Sequence, residues 1–169
     1  MTQVNGRARG GVQTLATFQR PESAVSIYQH ILVAVEADDE APALLARANQ
    51  LAKQFGASLT VLNVVEPVLT DFSGDVGVVP TSITTDLVEA AQKRLRPLCA
   101  AEGLDAGRLR IEVGQITSTI LEVARHTTAD LIILGHHRVR GLAALFSHTD
   151  KGVVSRAPCD VLAVTLKSV

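Results

Sequence analysis

The chain has 169 residues, 47% of them hydrophobic and 20% charged, which suits one globular domain with a full core better than two domains or a disordered chain. Sixteen basic and 17 acidic side chains leave a net charge of −1, so no general attraction to nucleic acid or to an anionic membrane surface is implied. Cys99 and Cys159 form no C-x-x-C pair, and no window reaches the roughly 18 apolar residues of a membrane span. No apolar signal-peptide segment opens the chain. The expectation is a soluble cytoplasmic protein with reduced thiols and neither a disulfide framework nor a structural zinc site.

Residues 1–26 contain Gly6, Gly10 and Gly11, three arginines and no acid before Glu22, with little apolar periodicity. They read as a flexible extension, and residues 27–169 as one domain. Ile31 to Val35 is a continuous apolar run, as in a strand buried on both faces. Glu36, Asp38, Asp39 and Glu40 then suit a helix amino terminus. Leu44, Leu45, Ala48, Leu51 and Ala52 recur at helical spacing, with Pro42 in the first turn and Gly56 at the close. Leu59 to Val65 predicts a second strand, stopped by Glu66 and Pro67. A helix carrying Leu87, Ala90, Ala91, Leu95 and Leu98 follows. Arg108 to Val113 predicts a third strand, and Thr117 opens a helix with Ile120, Leu121 and Ala124 on one face. Asp130 to Leu134 is the fourth strand, running into a loop that begins Gly135-His136-His137-Arg138. Ser147 or Thr149 caps a helix through Val153 and Val154, and Cys159 to Leu166 is the last strand. Strands alternating with helices predict right-handed crossovers and a doubly wound parallel α/β sheet of five strands with helices on both faces.

Ligands of such sheets sit at the carboxyl ends of the strands, which makes the junction at Gly135 the first candidate site. The strand-to-helix turns carry neither G-x-G-x-x-G nor G-x-x-x-x-G-K-[ST], and the chain has no G-x-S-x-G and no H-E-x-x-H. No marked acid/base couple of carboxylates is present either, so the familiar hydrolases are disfavoured. His136, His137 and His148 do not make a metal site, because adjacent histidines diverge and no thiol or carboxylate completes a set.

Several segments resemble the universal stress protein family. His30-Ile31-Leu32-Val33-Ala34-Val35-Glu36 is similar to its opening strand, which usually ends in aspartate. Gly114 with Ile116 and Ile120 looks like its turn into the third helix. Asp130 to Gly135 resembles its fourth strand and glycine, and Arg156 to Val164 its closing segment. The resemblance runs from about Tyr28 to Leu166. It implies a Rossmann-like, adenine nucleotide alpha hydrolase-like fold with strand order 3-2-1-4-5, a dimer, and a role in stress tolerance.

ATP-binding members of that family carry G-x2-G-x9-G-[ST] after the fourth strand. Counting from Gly135, the second glycine position holds Arg138 and the third His148, and the hydroxyl is kept as Thr149. A side chain at either lost glycine puts bulk where phosphate would lie against main chain. The Gly-His-His opening resembles the A-type, UspA-like branch, whose classical members do not bind ATP. The first reading is therefore a non-enzymatic dimeric stress protein of A-type with weak or no ATP binding. The second is an ATP-binding sensor in which Arg138 and Arg140 replace lost backbone donors with guanidinium forks. Its candidate nucleotide or anion site is Glu36, Val65, Gly135, His137, Arg138, Arg140 and Thr149, where Glu36 stands at the family's aspartate position and Val64 and Val65 match the strand end that lines the adenine pocket. An ATP pyrophosphatase would need a glycine-serine loop where this chain reads Glu36-Ala37-Asp38-Asp39.

In the order 3-2-1-4-5 the last strand is an edge, and Val161 to Val164 is apolar without proline or lysine. Bare apolar edges invite pairing. The expected partner is a second copy, with Val161, Leu162, Val164 and Leu166 in an isologous interface. No nucleic acid, membrane or metal partner is expected.

Overall fold

The computed structural model of the protein describes residues 26–67, 81–137 and 148–166. Its elements are β1 (His30–Ala34), α1 (Ala41–Phe55), β2 (Ser58–Val65), α2 (Thr81–Ala101), a 3-10 turn (Ala106–Arg108), β3 (Leu109–Val113), α3 (Ile116–His126), β4 (Leu131–His137), α4 (His148–Val154) and β5 (Asp160–Leu166). The strands form one parallel sheet in the order β3-β2-β1-β4-β5. Ile31 of β1 lies opposite Leu59 on one side and Leu131 on the other, so the most apolar strands are central.

Side chains of a strand alternate between faces. Ile31, Val33, Leu59, Val61, Leu131 and Ile133 pack with Leu44, Leu45 and Ala48 of α1 and Leu95 and Cys99 of α2. Leu32, Leu62, Ile132 and Leu134 pack with Ile120, Leu121 and Ala124 of α3 and Val153 of α4. Among the described residues two helices on each face cover the sheet, which is why its strands read as unbroken apolar runs rather than alternating ones. Cys99 is buried and Cys159 half-buried, both unpaired. Desolvation raises both thiols, so they behave as small apolar side chains.

The acids after β1 have a structural role at α1. Asp38 Oδ1 accepts the amides of Glu40 and Ala41, each at 3.0 Å, which are the second and third amides of the turn that leads into the helix. At the other end Gly56 takes φ 66°, and Ala57 N–H returns to the Ala52 carbonyl at 2.9 Å. This left-handed close turns the chain directly into β2.

Two expectations about boundaries change. Gly135, His136 and His137 belong to β4, opposite Val164, Thr165 and Leu166 of β5, rather than to a loop. A seven-residue β5 needs an equally long neighbour, and that pairing overrides the loop character of a glycine beside two histidines. Thr117 is also not the cap of α3, which begins at Ile116 after Gln115; its methyl and hydroxyl instead lie against the place where Gly152 lacks a Cβ.

Candidate functional site

A cleft opens where the carboxyl ends of β1 and β4 part, because the crossover from β1 leads to β2 on one side and that from β4 to β5 on the other. This is the topological switch point of the sheet. Its cavity of about 160 Å³ is some ten times the ~10–15 Å³ that one water needs. Apolar walls come from Ala34, Val35, Leu62, Val64, Ile116, Ile120, Leu134 and Leu166. Polar groups at the cleft are Glu36, Asp38, Glu40 and Asn63.

Glu36 and Gly135 are brought together here, as expected from the sequence. Gly135 has a packing reason to be glycine. A Cβ at this position would lie 2.7 Å from Leu166 Cδ1 and 3.1 Å from Leu44 Cδ2, so a side chain here would have to push both leucine ends aside. Val65 is not part of this cleft. It faces α2, in a separate groove with Ala37, Leu87, Ala91 and Arg94. Its neighbour Val64 lines the cleft instead, since successive residues of β2 point to opposite faces. His137 is the last residue of β4, in register with Leu166, and Thr149 lies inside α4. Arg138 and Arg140 lie outside the described residues.

Asn63, unmarked by any motif in the sequence, is 6% exposed and donates from Nδ2 to the Val35 carbonyl at 2.8 Å. That bond ties the tip of β1 to β2 just where β1 turns away. An amide inside the otherwise apolar run Leu59 to Val65 was the available signal. Asp38 was read only as a helix-end acid; in the fold it takes the amides that a helix amino terminus could otherwise turn toward an anion. With Glu36 and Glu40 nearby, the described lining of the cleft carries three carboxylates and no cation. Among the described residues no three His, Cys, Asp or Glu side chains gather as a metal site.

At the expected interface, β5 pairs with β4 on one side, and no strand lies on its other side among the described residues. Val164 and Leu166 are each 6% exposed within the single subunit, packed with α1 in the core. They are therefore not side chains left for an interface to cover, because α1 already covers the β5 face they occupy. Leu162, 38% exposed, is the large apolar side chain that β5 leaves open, and Val161 is half-buried on the opposite face.

Fold and cleft define a doubly wound α/β protein with a small-molecule-sized opening at its switch point. The sequence profile of the universal stress protein family matches residues 27–165. Universal stress protein A homolog 2 of Coxiella burnetii is 32% identical over 142 residues, spanning 83% of this chain and 97% of that protein. Universal stress protein D of Escherichia coli K12 is 26% identical, spanning 81% and 95%. Among solved structures, the universal stress protein UspA of Lactobacillus plantarum superposes with a TM-score of 0.61 at 28% identity, covering 81% of this chain and 97% of that one. A universal stress protein crystallised in complex with cAMP superposes at 0.62 with 22% identity, covering 84% and 100%. This chain belongs to the universal stress protein family.

Proposed function

We propose that the chain is a non-enzymatic, A-type universal stress protein that acts in the cytoplasm as a homodimer and binds ATP weakly or not at all. The chemistry at the switch point carries this reading. Of the three glycine positions of ATP-binding relatives only Gly135 remains, with Arg138 and His148 at the others. The described lining supplies carboxylates where a triphosphate would need donors, and Asp38 already takes the amides of Glu40 and Ala41 at the entry to α1. The outer edge of β5, unpaired among the described residues, supports self-association by antiparallel pairing of two β5 strands.

Calorimetric titration with ATP and Mg²⁺ tests the reading. No heat at millimolar nucleotide is expected; tight binding that Arg138→Ala abolishes would overturn it. Sedimentation at micromolar protein should give a dimer, and a monomer there rules out the homodimer. A second reading draws on the apolar walls of the cleft and on the neighbour crystallised with cAMP. In it Arg138, Arg140 and Thr149, with His137 beside them, hold the phosphates of ATP, and Glu36 approaches the ligand.

A further inference from the structure

A groove runs along the outside of the subunit between α1 and β5, away from the switch-point cleft. Its near end is lined by Tyr28, Phe55 and Asp160, and its far end by Gln50, Gln54 and Thr165. Leu51 and Leu162 line both ends, so the two parts are continuous. At the near end the Tyr28 hydroxyl donates to Asp160 Oδ2 at 3.0 Å, and the Tyr28 and Phe55 rings meet edge to face at 5.1 Å. An oriented carboxylate beside an aromatic face is a seat for a flat cation, which gains both a charge-assisted hydrogen bond and a cation–π contact. Among the described residues no cation pairs with Asp160. The pull of Asp160 on its neighbour is felt at Tyr28, whose phenol is raised above its ordinary value first by that hydrogen bond.

The chain enters the fold at this same place. Ser26 Oγ lies 2.5 Å from the Phe55 carbonyl and 2.6 Å from that of Tyr28, which anchors residue 26 beside the groove. The preceding segment holds Arg7, Arg9 and Arg20 and no acid before Glu22, and its apolar residues include Val12, Leu15 and Phe18. Five residues lie between Arg20 and Ser26, enough chain to loop back to Asp160, and the stretch from Arg20 back to Leu15 extends about 17 Å. The groove follows β5 from Asp160 to Thr165, about 17 Å. Length, point of entry and charge therefore agree.

We propose that the segment before Ser26 folds back into the groove between α1 and β5, with the Arg20 guanidinium on the Tyr28 ring and the Asp160 carboxylate. Phe18 and Leu15 then cover Leu51 and the exposed Leu162. Arg47, at the far end of the groove, repels a second arginine and so favours seating at Asp160. The outer backbone edge of β5 stays open for a second copy.

The test uses the full chain and two variants, Arg20→Ala and Asp160→Asn, with two readouts. One is the rate of chymotrypsin cleavage after Phe18. The other is acrylamide quenching of Tyr28, the only tyrosine in a chain without tryptophan. Each variant should raise both rates about three-fold, as expected for losing one exposed cation contact. The double variant should be no faster than either single one, because both remove the same contact. Arg20→Glu with Asp160→Arg should restore protection, a result that a merely destabilised fold would not give. The proposal is overturned if the parent chain is cut after Phe18 as fast as a free peptide of residues 1–25, or if Arg20→Ala changes neither rate. Protection that grows with protein concentration would make a second copy the occupant and overturn it equally.

Discussion

The two ends of the sheet are built on opposite principles. At the amino end, polar groups are spent on holding strands together: Asp130 accepts the amides of Gln29 at 2.7 Å and His30 at 3.1 Å, and its own amide returns to the His30 carbonyl at 3.0 Å. His30 in turn lies 2.9 Å from Thr60 Oγ1 on β2. At the carboxyl end the strands diverge, a cleft remains, and the carboxylate Glu36 stands exposed at its rim. One end closes the fold and the other leaves room for a ligand, as parallel sheets generally divide stability from function.

That contrast can be broken by exchanging charge for neutrality at each end. Asp130→Ala should cost about 2–4 kcal/mol, since it orphans two amides that now donate to a charged acceptor. Glu36→Gln should stay within about 0.5 kcal/mol. Urea denaturation of the two variants measures the difference, and equal losses would mean that the carboxyl end is as tightly held as the amino end. A smaller effect is expected inside the cleft: Gly135→Val should cost about 2 kcal/mol by forcing Leu166 and Leu44 aside. Gly107→Ala, where a Cβ meets nothing within 4 Å, should be nearly neutral. If both glycines tolerate replacement alike, Gly135 is not required by packing.

The smallest effect is a pH dependence at the closed end. Burial lowers His30 from 6.5; Asp130 pulls the other way, and Arg108 adds to the lowering. The fold therefore favours neutral imidazole, and below pH 6.5 the unfolded chain takes up more protons than the folded one. Stability from this group is complete above pH 6.5 and declines as the pH falls toward the folded value. His30→Gln, which can still reach Thr60, should flatten the decline in denaturation midpoints measured across that window. An unchanged slope would show that another group sets it.

Much of the architecture was legible because burial on both faces leaves a clear mark. Continuous runs such as Leu131 to Leu134 can only be central strands once helices alternate with them. The site was half legible. Glu36 and Gly135 follow from the rule that ligands gather at strand ends, and both line the cleft. Of the strand-end pair Val64 and Val65, only Val64 lines the cleft, because neighbours in a strand point to opposite faces. Val164 and Leu166 were assigned to an interface because sequence marks them as apolar but not which neighbour covers them.

The sequence by itself determined the fold class, the family and the loss of two phosphate-loop glycines, because those reside in local residue types and their spacing. Only the tertiary structure decided that Asn63 anchors the tip of β1, that Asp130 clasps β1, and that Gly135 is glycine where Leu44 and Leu166 come close to it. Each of these joins residues tens of positions apart. Such a contact exists only after the strands have been laid side by side, and no local pattern encodes it.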